Sequence, residues 1–195
     1  MRIKDINIVN FKGFQNETVV FNGNLTVVIG NNTAGKTTLL KAIQVGLGAY
    51  LQTLKQLPGG APYRRNFSSL DKCMRLDEEL RDYIPNDEKP RITINADFPV
   101  TQSLCDNCPK VSFVPVHWYR EFAGNYTTHT RACAGELIDA VHQMESLRYD
   151  EKQESVYPLV LAFGAKRTSD SQAKSTSNVK ERASRIEKAY KFALH

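Results

Sequence analysis

The sequence is poor in cysteine: four residues in a chain of 195 do not suggest a disulfide framework, and reduced thiols are expected. It also lacks long hydrophobic runs. Nothing approaches the roughly 18–20 consecutive apolar residues of a membrane-spanning helix. The N-terminal stretch MRIKDINIVN alternates polar and apolar residues, unlike a signal or transit peptide, so the expected location is cytoplasmic. No internal repeat and no long low-complexity tract is present. Residues 1–164 carry no excess of either charge. The net charge of +5 resides in residues 165–195, where Lys166, Arg167, Lys174, Lys180, Arg182, Arg185, Lys188 and Lys191 outweigh Asp170, Glu181 and Glu187. At 41% hydrophobic and 24% charged residues, the chain has globular composition and enough length to bury a core.

What is there reads as alternating strands and helices. Residues 2–11 carry Ile3, Ile6, Ile8, Val9 and Phe11 in strand-like order, Lys12-Gly13 allows a turn, and Thr18–Phe21 reads as a second strand before the Asn22-Gly23-Asn24 turn. Leu25–Ile29 is an apolar run, the pattern of a fully buried strand. From Lys36 to about Leu54, Leu39, Ile43, Leu47, Leu51 and Leu54 recur at helical spacing. Leu57-Pro58-Gly59-Gly60-Ala61-Pro62 ends that helix. The expectations beyond it are a polar loop over 63–72, a short helix over 73–83, strands over 91–98 and 111–119 joined by a long loop, and a helix over 135–147. A buried strand over 157–163, a polar loop over 165–178 and a basic amphipathic helix over 179–194 complete the chain.

One stretch carries chemistry. Gly30-Asn31-Asn32-Thr33-Ala34-Gly35-Lys36-Thr37 fits G-x-x-x-x-G-K-[ST], the Walker A phosphate loop. The glycines allow a tight backbone whose amides face an anion, and the loop runs into a helix N-terminus that favours phosphate. Lys36, the candidate catalytic residue, would reach the β- and γ-phosphates of ATP. The Thr37 hydroxyl would hold Mg²⁺, and Thr38 could add a hydroxyl to the α-phosphate. With glycine near 7% of residues, a chance match in a chain this long is on the order of 1%. The expected strand before the loop and helix after it are the setting that the motif requires.

The pattern IKDINIVNFKGFQNETVVFNGNLTVVIGNNTAGKTTLLKAI resembles the N-terminal lobe of ABC-type AAA ATPases of the RecF/SMC/OLD superfamily. In these a phrase N-F-[RK]-x-F, here Asn10-Phe11-Lys12-Gly13-Phe14, precedes Walker A by about twenty residues. ACAGELIDAVHQ followed by YPLVLAFGAKR is similar to a bacterial subgroup that includes PtuA-type ATPases of Septu anti-phage systems and retron-associated ATPases. The resemblance implies an α/β P-loop NTPase fold, an N-terminal lobe of an ABC-type ATPase head with antiparallel strands preceding the Walker A strand. It implies ATP and Mg²⁺ as cofactors, an ATPase dimer partner, DNA or another nucleic acid as target, and a nuclease effector of HNH type. It places Lys12 beside the nucleotide; a plain hairpin-turn lysine is the alternative. It also places the loop Gly164-Ala165-Lys166-Arg167 where such ATPases carry a γ-phosphate-sensing glutamine, although here Gln172 lies well downstream.

Other parts of such a machine are missing. No apolar run ends in Asp-Glu, the Walker B pair that orders Mg²⁺ and polarises water. Leu76-Asp77-Glu78 lacks the apolar run and reads as a solvated helix face; Leu57-Pro58-Gly59-Gly60 lacks the serine of a signature motif and reads as a helix stop. The expected organisation is a single lobe, with 1–56 forming strands, Walker A loop and helix, 57–150 a hairpin and helix insertion, and 151–195 a strand, basic loop and helix. The second lobe is absent, so the lobe should bind ATP but be incomplete for hydrolysis alone. Two alternatives remain open at this point. One is a non-catalytic, nucleotide-dependent assembly switch. The other is a zinc-stabilised nucleic-acid-binding module in which the phosphate loop is vestigial, with Cys105-x-x-Cys108 and His129-x-x-x-Cys133 as its candidate ligands. Separately, the basic segment 165–191 could touch nucleic-acid phosphates or simply form a solvated helix face. His117 and His142 read as packing or surface residues.

Overall fold

The computed structural model describes residues 1–55, 64–102, 110–149 and 155–162. Its centre is a four-stranded antiparallel sheet in the order β2-β1-β5-β6. Strand β1 (Arg2–Phe11) turns at Lys12-Gly13 into β2 (Phe14–Val20), in a register that sets Phe11 opposite Phe14. On its other side β1 pairs with β5 (Arg91–Gln102), and β5 pairs along its whole length with β6 (Lys110–Glu121). Helices α1 (Lys36–Thr53) and α2 (Arg131–Tyr149) contact the sheet and each other.

The alternation predicted for the first strand and for the 91–119 hairpin is what builds this core. Ile6 and Ile8 of β1, Ile92, Ile94, Ala96 and Phe98 of β5, and Val116 and Trp118 of β6 are all buried. They pack in one cluster with Leu39, Ala42, Val45 and Tyr50 of α1 and Leu137, Val141 and Met144 of α2. Between Val45 and Leu51 every residue of α1 is buried. That is wider than the single stripe of a surface helix, because α1 also receives the segment 155–162: the Tyr50 hydroxyl donates to Pro158 O at 3.1 Å. Two glycines let the helix approach closely. A Cβ on Gly46 would overlap Ile94 Cδ1, and one on Gly48 would overlap Arg120 Nη1.

Five expectations are corrected. Strand β2 begins at Phe14 rather than Thr18, and α2 at Arg131 rather than Gly135. Residues 73–83 are not helical. Met74–Asp77 (β3) and Asp82–Pro85 (β4) form a separate hairpin, pairing Leu76 with Tyr83. Turn chemistry decides this segment. Asp77 Oδ1 accepts the amides of Glu79 and Leu80 at 3.0 Å, and Arg81 takes φ 50° to close the loop. The two expected buried strands, 25–29 and 157–163, are unpaired among the described residues. Leu25, Val27 and Ile29 are 81%, 70% and 90% exposed, and Leu159 and Leu161 are exposed as well. An apolar run specifies a strand only when neighbours exist on both sides. The described sheet lies elsewhere and offers none. The CxxC loop, residues 165–195 and the LPGGAP break lie outside the described residues.

Candidate functional site

Residues 30–38 form one continuous feature. The loop 30–34 is exposed, and α1 starts at Lys36 behind Gly35, which has φ 84°. Only glycine takes that left-handed conformation without strain. Thr33 also lies there, at φ 76°, an outlier for a β-branched residue of the kind that clusters at ligand clamps. The loop closes on itself. Ala34 N donates to Asn31 O at 3.2 Å, and a Cβ on Gly30 would stand 3.1 Å from Ala34 Cβ.

The N-terminus of α1 has no side-chain cap and no acidic residue in its first turn. Its free amides and dipole therefore point into the loop uncompensated, a polarity suited to an anion. Lys36 Nζ donates to Gly30 O and Asn31 O, each at 2.6 Å, so the ammonium spans the loop. Thr37 is exposed and Thr38 half-buried in the same turn. This donor set fits a nucleoside triphosphate. Gly30, Asn31, Asn32, Thr33, Ala34 and Gly35 would supply backbone amides, Lys36 a cation, Thr37 a hydroxyl for Mg²⁺ and Thr38 a further hydroxyl.

Lys12 is held by Asp71. It sits at the β1–β2 turn with φ 53°, its amide donates to Asp71 O at 2.7 Å, and its Nζ lies 2.7 Å from Asp71 Oδ1. Asp71 is 1% exposed. Burial raises its carboxyl, but the Lys12 hydrogen bond, the Ser68 amide and the charges of Lys12 and Arg65 outweigh that and hold it below the usual carboxylate range. Neighbouring residues join the same clamp: Asn10, buried at φ 50°, donates from Nδ2 to Glu88 O and accepts Cys73 N at 3.2 Å. Asp71 lies in a stretch read as a polar loop. A lone aspartate in such a stretch carries no periodic signal, so only the fold reveals its role.

A second buried polar centre lies along α1. Arg120 of β6 is fully buried. Its Nη1 donates to Val45 O at 2.7 Å and Arg65 O at 3.0 Å, and its Nη2 to Asn66 Oδ1 at 2.8 Å. Among the described residues no carboxylate pairs with it. Burial, then the charge of Arg64, bring its pKa down to about 9. His129 stands nearby with Nε2 3.3 Å from Thr53 Oγ1; burial and the charges of Arg120 and Arg64 lower its pKa to about 4. Cys133 lies in the first turn of α2, 3.2 Å from the Thr130 hydroxyl. Burial pushes its thiol up, and hydrogen bonds from Thr130, Tyr119 and Thr128 bring it below its ordinary value. Cys105 and Cys108 fall outside the described residues, as do Lys166, Arg167 and Gln172. His117 and His142 are exposed, and Glu136 Oε2 accepts the His117 amide at 2.6 Å.

His129 makes stability depend on pH. Its folded pKa lies below the unfolded value of about 6.5, so the unfolded chain binds the extra proton. The neutral imidazole's contribution is complete above pH ~6.5 and is lost as pH falls towards ~4. For a group this accessible the loss is on the order of 1–2 kcal/mol after solvent screening. Denaturant unfolding at pH 7 and pH 5 should show a smaller drop for His129→Gln than for the unsubstituted chain. Equal drops would remove His129 from the account.

Comparison with known proteins gives concordant results. The model of the AAA domain family matches residues 5–194. Over 49 residues the chain is 45% identical to a retron Ec83 probable ATPase of Escherichia coli, covering 24% of this chain and 9% of that protein. Over 47 residues it is 43% identical to a DNA double-strand break repair Rad50 ATPase of Sulfolobus acidocaldarius, covering 24% and 5%. The match therefore spans under a tenth of the length of either relative. A solved structure from work on ATP-driven dimerization and DNA-stimulated activation of SMC ATPases aligns at 19% identity with a TM-score of 0.43, over 73% of this chain and 79% of that one.

Proposed function

The chain belongs to the AAA domain family, and on that premise we propose that it is the ATP-binding lobe of an ABC-type ATPase gating a DNA-directed defence or repair complex. The observation that carries the reading is the uncapped, acid-free N-terminus of α1 behind a left-handed Gly35, with Lys36 spanning an exposed loop. Bound Mg-ATP would supply the charge and the leaving group for phosphoryl transfer. The chain's own residues would bind and orient it: Lys36 at the terminal phosphates, Thr37 at the metal, Thr38 at the α-phosphate. Lys12 would join them only by leaving Asp71.

Two features support an incomplete site. No apolar run in the sequence ends in an Asp-Glu pair; on this reading the residues that order Mg²⁺ and polarise water would come from a second lobe or a dimer partner. The exposed apolar segment 25–29, and the exposed Leu159 and Leu161 of segment 155–162, are the places where such a unit would add strands. The names of the two relatives, one a retron ATPase and one a repair ATPase, favour a nucleic-acid setting. A nuclease effector would then carry out the chemistry on DNA. The missing carboxylate pair also favours a second reading, a switch in which ATP binding alone drives assembly.

Mg-ATP binding and phosphate release by this chain test the proposal. Binding without turnover is expected. Lys36-dependent turnover would mean that a catalytic carboxylate lies within these residues, and absence of binding would sink the phosphate-loop reading altogether. Adding the second lobe or a partner should then restore turnover for an ATPase and leave it absent for a switch.

A further inference from the structure

We propose that Phe14 is a positioning residue for the phosphate loop, its ring bracing Gly35 and so fixing the backbone from which Lys36 and Thr37 extend; this rests on the phosphate-loop reading above. A Cβ built on Gly35 would stand 2.8 Å from Phe14 Cζ and 3.0 Å from Cε1. The ring therefore lies directly against the glycine, on the side where any other residue would carry its side chain. The hydrogen bonds made within the loop are local: Ala34 to Asn31, Lys36 to Gly30 and Asn31, and Thr33 to Asn32. A brace from outside the loop is what such a self-contained, exposed turn needs if its amides are to face one point.

The brace is anchored in turn. Phe14 opens β2 opposite Phe11, so its backbone is set by the β1–β2 turn. That turn is clamped at successive residues: Asn10 O accepts Cys73 N, Phe11 bridges to Lys72, and Lys12 is gripped by Asp71 through both backbone and side chain. The positive φ at Asn10 and Lys12 is the kind of local strain that persists only where surrounding contacts over-determine it. A turn held this firmly transmits its position to the ring, and the ring to Gly35. Binding then requires less ordering of the loop, which is the way preorganisation raises affinity.

The test compares Phe14→Ala and Phe14→Leu with the unsubstituted chain, well below the melting temperature of each. Two readouts are needed: Mg-ATP titration, and the NMR shift of the Gly35 α-protons, which the ring current of an aromatic side chain in contact perturbs. Phe14→Ala should weaken Mg-ATP by about tenfold, as expected for loss of preorganisation. Phe14→Leu should lose the ring-current shift but recover most of the affinity by filling the same space. A lower melting temperature for Phe14→Ala with unchanged affinity would mean that the ring only fills space, and would overturn the proposal. So would Gly35 α-proton shifts that do not respond to loss of the ring. Failure of the unsubstituted chain to bind Mg-ATP, with the ring-current shift present, would instead overturn the phosphate-loop reading and leave the bracing contact standing.

Discussion

Lys36→Ala is expected to lower Mg-ATP affinity by on the order of 10- to 100-fold, the range for losing a charge-assisted contact of about 1.5–3 kcal/mol. The fold should be unaffected. In the free protein Lys36 donates to Gly30 O and Asn31 O, and both residues are exposed, so water replaces the ammonium at those carbonyls. The buried face of α1, which begins at Leu39, is not touched by the change. Calorimetric titration with Mg-ATP, alongside thermal unfolding of both chains, separates the two effects. Equal affinities would remove the phosphate-loop reading. A lowered melting temperature would show that the lysine's bonds to the loop carbonyls matter more than their exposure implies.

The parts of this molecule that were legible in the sequence are those whose signal is local. The loop motif fixes its own backbone, and the spacing of Leu39, Ile43, Leu47 and Leu51 places the helix after it. The alternation in 2–11, 91–98 and 111–119 marks the sheet because those strands bury one face against helices, although in 111–119 the outer face carries Val111 and Phe113 rather than polar residues alone. Leu25–Ile29 shows the limit of this reasoning. Its composition describes a strand with neighbours on both sides, and no composition states whether those neighbours are present. The hairpin β3–β4 shows another limit. Residues 73–83 read as a short helix, while a single aspartate accepting two amides and a left-handed arginine decided the conformation.

The candidate site divides in the same way. Its phosphate loop is contiguous, and sequence finds it. Its supports are not contiguous: Phe14 against Gly35, Asp71 under Lys12, and Arg120 tying Val45 to residues 65 and 66 are separated by 21 to 75 positions in the chain. Side chains that meet only after folding leave no spacing to count. Arg120 is the extreme case. In the alternating strand 110–121 it occupies a position that the pattern assigns to an apolar residue, as Trp118 and Phe122 do on either side. It can lie there because four carbonyl-type oxygens, those of Val45, Gln52, Arg65 and Asn66, accept its donors and because α1 has a glycine where its guanidinium passes.

That glycine carries the last prediction. In an exposed helix, Gly→Ala is stabilising by ~1 kcal/mol through propensity. Gly48→Ala should have the opposite sign here. The new methyl would overlap Arg120 Nη1 and stand 2.9 Å from the backbone oxygen of Arg65. Neither can move freely, since the guanidinium is fully buried and held by Val45, Arg65 and Asn66. Overpacking of this kind costs roughly 1–3 kcal/mol, occasionally more. With a rigid neighbour on two sides the upper part of that range applies, so a net loss of about 2 kcal/mol remains after the propensity gain. Arg120→Met supplies the second corner of a cycle. It withdraws donors from Arg65 O and Asn66 Oδ1, but also removes a buried cation beside Arg64 and His129, and frees the space the methyl needs. The double variant should therefore be more stable than the sum of the single losses predicts, by about 1–2 kcal/mol, the scale of coupling between residues in contact. Denaturant unfolding of the four chains measures it. Strict additivity would mean that the helix shifts away from β6 to admit the methyl, and that the Arg120–Gly48 contact does not set the distance between α1 and the sheet.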